Sequence, residues 1–158
     1  MAPSTKVLRV GIIGAGANTR SRHIPGFQAI DGVEVVAVCN RSTESGQRVA
    51  DQFGIARVTV KAADIIEAND IDAICVGTWP YLHHDLTLAT LKAGKHLLTE
   101  ARMAMNLTEA RAMHRAAEAS DRVAMIVPSP FYLKYEPTLL ALLRDGFFGD
   151  LLDIHVRG

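Results

Sequence analysis

Three short groups of residues carry the chemistry this chain can offer, and the first is a glycine turn. Val10-Gly11-Ile12-Ile13-Gly14-Ala15-Gly16 closes an apolar run on a bend. Gly14 permits the tight turn, and Gly16 lets backbone come close to a pyrophosphate. A helix that follows aims its N-terminal amides at that anion. Gly14, Gly16, Ala17, Asn18 and Thr19 are therefore the residues expected to cradle it. Thr19 stands where the third glycine of G-x-G-x-x-G would fall, so the fingerprint is incomplete. Its position, after a first strand and opening a helix, is the context that gives it meaning. A dinucleotide ligand is the expectation.

The second group ends the second apolar run, Val38-Cys39-Asn40-Arg41-Ser42. An acidic residue that reads a ribose 2′-hydroxyl belongs about 20 residues past the glycines. None is present here. Arg41 with Ser42 can instead hold a 2′-phosphate through charge-assisted bonds, which favours NADP over NAD. The competing reading is that Asn40 and Ser42 turn the chain and cap the next helix.

The third group combines Thr78-Trp79-Pro80-Tyr81-Leu82-His83-His84 with Glu100-Ala101-Arg102. Both runs follow apolar strands, at the carboxyl edge where open α/β sheets bind ligands. Trp79 is the only tryptophan, and its loop position suits a cofactor or domain contact better than the core. The adjacent His83 and His84 point about 100° apart on a helix, and no third ligand is evident, so a metal site is not expected. His96, opening a strand, reads as a half-buried residue holding a neighbouring backbone.

The elements that must position these groups alternate along the chain. Strands are expected at Val7–Ile13, Val33–Cys39, Val58–Val60, Ala73–Val76, His96–Leu98 and Val123–Val127. Their apolar runs are continuous, as in strands covered on both faces of a parallel sheet. Helices are expected at Arg20–Ile30, Thr43–Phe53, Ala62–Ala68, Leu82–Ala93 and Leu107–Ala119. Asn106 with Glu109 forms a capping box for the last, and Gly54 and Gly94 fall where helices should stop. The order predicts an α/β fold with a doubly wound, mostly parallel sheet over residues 5–127. Residues 128–158 read differently. Pro128, Pro130 and Pro137 mark a link, Thr138–Arg144 a helix, and Leu151–Val156 a strand without a following partner. They are expected to be the start of a truncated second α+β domain.

Composition limits the function classes. The 158 residues suffice for one well-cored domain, which at this size buries roughly 70% of its unfolded surface. Acidic and basic side chains balance at zero net charge, so no field points to nucleic acid or an anionic membrane. Cys39 and Cys75 end apolar runs and read as buried small hydrophobes rather than a redox pair. No apolar stretch reaches the length of a membrane helix, and residues 1–6 are too short and polar for a signal peptide, so a cytoplasmic location is expected.

Taken together, these runs resemble the Gfo/Idh/MocA family of nicotinamide-dependent sugar and polyol oxidoreductases. The resemblance rests on Gly14-Ala15-Gly16 with His23-Ile24-Pro25, on Asn40-Arg41-Ser42 with Ala50–Ile55, and on Thr78–His84. It continues with Gly94-Lys95-His96 and Glu100, and with Gly146-Phe147-Phe148-Gly149-Asp150. It implies a Rossmann domain in which Thr78, Trp79, Pro80 and His84 line the nicotinamide half of NADP or NAD and Glu100 sits beside the ring. Arg102 would face the same site. It also implies a sugar or polyol substrate, a second, sheet-rich domain, and a possible homo-oligomer.

One departure bears on mechanism. The family's G-K-H-V-x-x-E-K-P segment reads Gly94-Lys95-His96-Leu97-Leu98-Thr99-Glu100-Ala101-Arg102 here, with alanine in place of the lysine that helps move the substrate proton. Oxidising an alcohol requires a proton acceptor, a task a lysine of lowered pKa suits near neutrality. Ala101 cannot accept a proton, and a guanidinium stays charged. Lys95 lies roughly 16 Å from Glu100 along an extended strand, too far to substitute. His84 and Tyr81 are the candidates left within the chain, with His84 aligned to the family's histidine. Three functions follow: an oxidoreductase completed by a second domain, a dinucleotide-holding sensor or scaffold, or an interaction unit.

Overall fold

The computed structural model describes residues 7–128, 134–153 and 155. Six strands form one parallel sheet: β1 (Leu8–Ile13), β2 (Val33–Cys39), β3 (Arg57–Thr59), β4 (Ala73–Val76), β5 (His96–Thr99) and β6 (Ala124–Ile126). Their spatial order is β3-β2-β1-β4-β5-β6. The order reverses between β1 and β4, which places a crevice at the carboxyl ends of those two strands.

The carboxyl-terminal halves of the central strands β1, β2 and β4 are apolar on both faces because both faces are covered there. Ile12, Val38 and Cys75 belong to one buried cluster, while their neighbours Ile13, Ala37, Cys39, Ile74 and Val76 belong to the other. Side chains alternate across a strand, so consecutive apolar residues must serve opposite layers. The two free cysteines accordingly lie in different layers. Burial pushes the Cys39 thiol up to about 11 and the Cys75 thiol up to about 12, so neither is a reactive thiolate.

The helices are α1 (Ile24–Gln28), α2 (Thr43–Phe53), α3 (Ala62–Ile66), α4 (His83–Lys92), α5 (Leu107–Glu118) and α6 (Glu136–Arg144). Ser42 caps α2 by accepting from the Ser45 amide at 3.3 Å, and Gly54 closes it at φ +69°. Asn106 Oδ1 accepts from the Glu109 amide at 2.9 Å, while the Glu109 carboxylate accepts from the Met105 amide and from Asn106 Nδ2. The expected box is therefore present, with the carboxylate reaching one residue further back than the motif requires.

The expected helix over Arg20–Ile30 is instead split. Thr19–His23 forms a π-helical turn in which the Ile24 amide donates to the Thr19 carbonyl, and α1 then runs only to Gln28. Pro25 in the first turn of α1 has no amide to give Ser21, so regular bonding is interrupted there. Strand β3 lies one residue earlier than expected, and α3 stops at Ile66 rather than Ala68.

The chain divides into two compact units, Met1–Val127 and Pro128–Gly158. In the second, α6 carries Pro137 in its first turn, and the Phe147 and Phe148 rings meet edge to face at 5.2 Å. The strand expected at Leu151–Val156 is not formed in its described part: residues 151–153 and 155 have no regular structure. A strand needs a bonded neighbour, and none is offered within the described part of this unit. Ile154 and Val156, like the expected link residue Pro130, lie outside the described residues. Among the described residues no helix is long and apolar enough to cross a membrane.

Candidate functional site

The loops after β1, β2, β4 and β5 meet at the carboxyl edge of the sheet. The Gly14 amide donates to the Cys39 carbonyl and the Gly77 amide to the Ile13 carbonyl, both at 2.8 Å. The three strand ends are thus tied before any side chain acts. Gly14 sits at φ +87°, and a β-carbon there would lie 2.8 Å from the Thr78 amide nitrogen. The two loops approach too closely for anything but glycine.

A β-carbon on Gly16 would by contrast meet nothing within 4 Å. Gly16, Ala17 and Asn18 are exposed, at the start of the helical segment that follows β1. Thr19 is different. It is 1% exposed, and its hydroxyl donates to the Gly14 carbonyl at 3.1 Å. A β-carbon on Gly77 would sit 2.1 Å from that hydroxyl. Threonine at the third fingerprint position therefore braces the loop from beneath, filling ground left by a glycine on the neighbouring strand end.

At the end of β2, Asn40 Oδ1 accepts from the Ala15 amide at 2.8 Å and its Nδ2 donates to Ser45 Oγ at 2.8 Å. With Ser42 capping α2, both polar residues work locally, as the turn-and-cap reading holds. Arg41 is exposed, with no ion-pair partner among the described residues. Its guanidinium is left available to solvent or to a ligand.

Beyond β4, Thr78 is half-buried and Trp79 is 72% exposed, and Pro80 opens a single 3₁₀ turn over Pro80–Leu82. His83 then turns inward. It is fully buried, with Nδ1 2.8 Å from the Arg102 carbonyl oxygen and Nε2 3.0 Å from the Thr78 carbonyl oxygen. The two loops are tied through one ring. Both oxygens can only accept, so a neutral imidazole satisfies one of them and a doubly protonated one satisfies both. His84, one residue on, faces elsewhere, with Nδ1 2.7 Å from the exposed Asp85 carboxylate. The histidine that joins the loops is His83, a role the sequence assigned to neither histidine.

Beyond β5, the Glu100 amide donates to the Val76 carbonyl at 2.9 Å. The carboxylate crosses to the loop of β1, accepting from His23 Nε2 at 2.5 Å and from Asn18 Nδ2. Burial pushes the Glu100 carboxyl up, but the bonds from His23 and Asn18, the His23 charge and the Ala101 amide outweigh it. The group is held below its ordinary value. Ala101 and Arg102 are exposed. Sequence reasoning missed His23 and Gly77 as parts of this edge; only the quoted His23-Ile24-Pro25 run gave a signal for the first.

Lys95 lies at the other end of β5, buried, with Nζ donating to the carbonyls of Ala68 and Ile71 at 2.6 and 2.7 Å. Burial lowers its pKa, yet it faces away from the site. His96 Nδ1 accepts from the Val123 amide at 3.0 Å, holding the start of β6.

A doubly wound sheet of this order, with a glycine loop at its switch point, defines a Rossmann nucleotide-binding domain. Residues 8–127 match the family model for the Gfo/Idh/MocA oxidoreductases, NAD-binding Rossmann fold, and the chain belongs to that family. It is 38% identical over 115 residues to a 1,5-anhydro-D-fructose reductase of Ensifer adhaerens, covering 73% of this chain and 34% of that protein. It is 29% identical to a glycosyl hydrolase family 109 protein of Shewanella baltica, covering 96% of this chain and 35% of that one. Among solved structures it resembles KijD10, a 3-ketoreductase from Actinomadura kijaniata in complex with NADP. The TM-score is 0.80 at 26% identity, over 92% of this chain and 46% of that chain. The chain thus spans about a third of the curated relatives' length.

Proposed function

We propose that this chain is the dinucleotide-binding part of an oxidoreductase that moves hydride between NADP, in preference to NAD, and a sugar, inositol or related polyol. The observation that carries the reading is the open ground over Gly16. It lies between a loop braced by Thr19 and the start of a helical segment, ground that a pyrophosphate would occupy and that a side chain at position 16 would take from it. Gly14, Gly16, Ala17, Asn18 and Thr19 would present loop backbone to the phosphates, with Asn40 shaping that loop. Arg41, beside Ser42, would pair with a 2′-phosphate. Thr78, Trp79, Pro80, Glu100 and Arg102 would border the nicotinamide half, whose ring supplies the hydride chemistry when bound. His84 with Asp85 is the chain's own candidate for carrying a proton, and Ala101 carries none. The substrate class is supported by the 1,5-anhydro-D-fructose reductase and the 3-ketoreductase to which this chain is similar.

A second reading, that the domain holds the dinucleotide without turnover, is favoured by that same alanine. Titrating NADP and NAD against the chain while following Trp79 fluorescence tests binding. Absence of binding by either cofactor would overturn both readings. Hydride transfer by the complete protein with a panel of sugars and inositols then separates them. Oxidation or reduction of any polyol supports the enzyme, and cofactor binding without turnover supports the holding domain.

A further inference from the structure

We infer that His23 is a positioning residue for Glu100, and that the pair sets how strongly the site prefers an oxidised over a reduced dinucleotide; the inference rests on the dinucleotide reading above. Glu100 Oε1 takes two donors at once, His23 Nε2 at 2.5 Å and Asn18 Nδ2, both from the segment following the phosphate loop. The Glu100 side chain is 16% exposed and that of His23 is 13% exposed, so the pair is largely shielded from solvent yet open at one side. His23 reaches it from a π-helical turn, whose extra residue per turn is a feature that recurs at functional sites.

The second nucleoside of a dinucleotide in this fold lies over the strands beyond the switch point, here β4 and β5. Glu100 ends β5 on that side. An oxidised nicotinamide ring is cationic and a reduced one is neutral, while the rest of the molecule is unchanged. An ionised carboxylate in that half therefore attracts one form and not the other. Burial opposes the ionised state, and the two donors sustain it. Cys75 on β4 also feels the Glu100 charge, but its thiol, pushed up to about 12, stays neutral at ordinary pH. The groups that govern the carboxylate are therefore His23 and Asn18. Removing His23 leaves burial with less opposition, so Glu100 takes up its proton at higher pH and the preference is lost with it.

The test uses the full chain. NADP⁺ and NADPH are titrated separately by Trp79 fluorescence against wild type, His23→Ala, His23→Gln and Glu100→Gln. The range is about pH 3.5 to about pH 8, which takes in the ordinary carboxylate titration and the region above it. Wild type is expected to favour the oxidised form over the reduced form roughly tenfold more than Glu100→Gln does, as one partly screened charge pair supports. His23→Ala should match Glu100→Gln at the acid end and approach wild type at the alkaline end. His23→Gln, which keeps an N–H donor, should restore most of the difference. Carbon NMR of the Glu100 carboxyl should show its titration moving up in His23→Ala. Should His23→Ala fail to fold, Asn18→Ala removes the other donor from an exposed position and must shift the same two readouts the same way. A wild-type chain that binds both forms, with the ratio and the Glu100 titration unchanged in the donor variants, overturns the inference. A wild type that binds neither form overturns the dinucleotide reading itself, and this inference with it.

Discussion

Gly16 and Arg41 are the two positions where side-chain size or charge separates ligand binding from folding. The space above Gly16 holds no protein atom within 4 Å, so a larger side chain costs the fold little there. Gly16→Val is expected to change stability by no more than about 0.5 kcal/mol, the range of substitutions at unconstrained exposed sites. It should weaken NADP binding roughly hundredfold, the loss of two charge-assisted bonds at about 1.5 kcal/mol each. Fluorescence titration alongside circular dichroism measures both quantities, and wild-type affinity in this variant would remove the phosphate-loop assignment. Arg41 has no ion-pair partner among the described residues, so its charge serves no described fold contact. Arg41→Ala should weaken NADP by roughly tenfold or more, the worth of a hydrogen bond to a charged group, and leave NAD nearly unchanged. Equal losses for the two cofactors would show that Arg41 does not read a 2′-phosphate.

Strand ends and the first turns of helices set the precision of the edge, and they differ in how far local sequence discloses them. The limits of β2, β4 and α2 follow from runs that are apolar but for Glu34 and from Ser42 and Gly54, signals that act within a few residues. The π-helical turn does not follow, because Arg20–Ile30 keeps helical periodicity and only the missing Pro25 amide marks the irregularity. His23 and Glu100 are 77 residues apart, and His83 differs from His84 only in the direction its helix turns it. Such pairings depend on tertiary approach, which spacing along the chain does not encode. Gly77 is a similar case. It follows a strand like any turn glycine, yet its hydrogen stands where a methyl would strike Thr19 Oγ1 at 2.1 Å and the Gly14 carbonyl oxygen at 2.5 Å. Gly77→Ala must push the β1 and β4 loops apart. A destabilisation of about 1–3 kcal/mol, the cost of overpacking, is expected together with a loss of NADP affinity. Denaturant unfolding and the fluorescence titration would report them, and a variant of wild-type stability and affinity would show that the loops do not need that approach.

For the molecule as a whole, the sheet and the candidate site belong to one unit. All six strands, both buried clusters and every site side chain from Gly14 to Arg102 precede Pro128. Among the described residues, the last sheet bond before it runs from the Val127 amide to the Thr99 carbonyl at 2.8 Å. A chain ended after Pro128 therefore keeps every sheet hydrogen bond among the described residues, and loses α6 and the residues around it. On the expectation that the two units act independently, its NADP affinity should stay within about twofold of the full chain, the spread expected for uncoupled sites. Its unfolding should remain a single cooperative transition. Thermal unfolding by circular dichroism and the same titration, run on both lengths, test this. If the shorter chain unfolds or loses NADP, then α6 and its neighbours stabilise the binding unit, and residues 128–158 are part of the dinucleotide domain rather than the beginning of another.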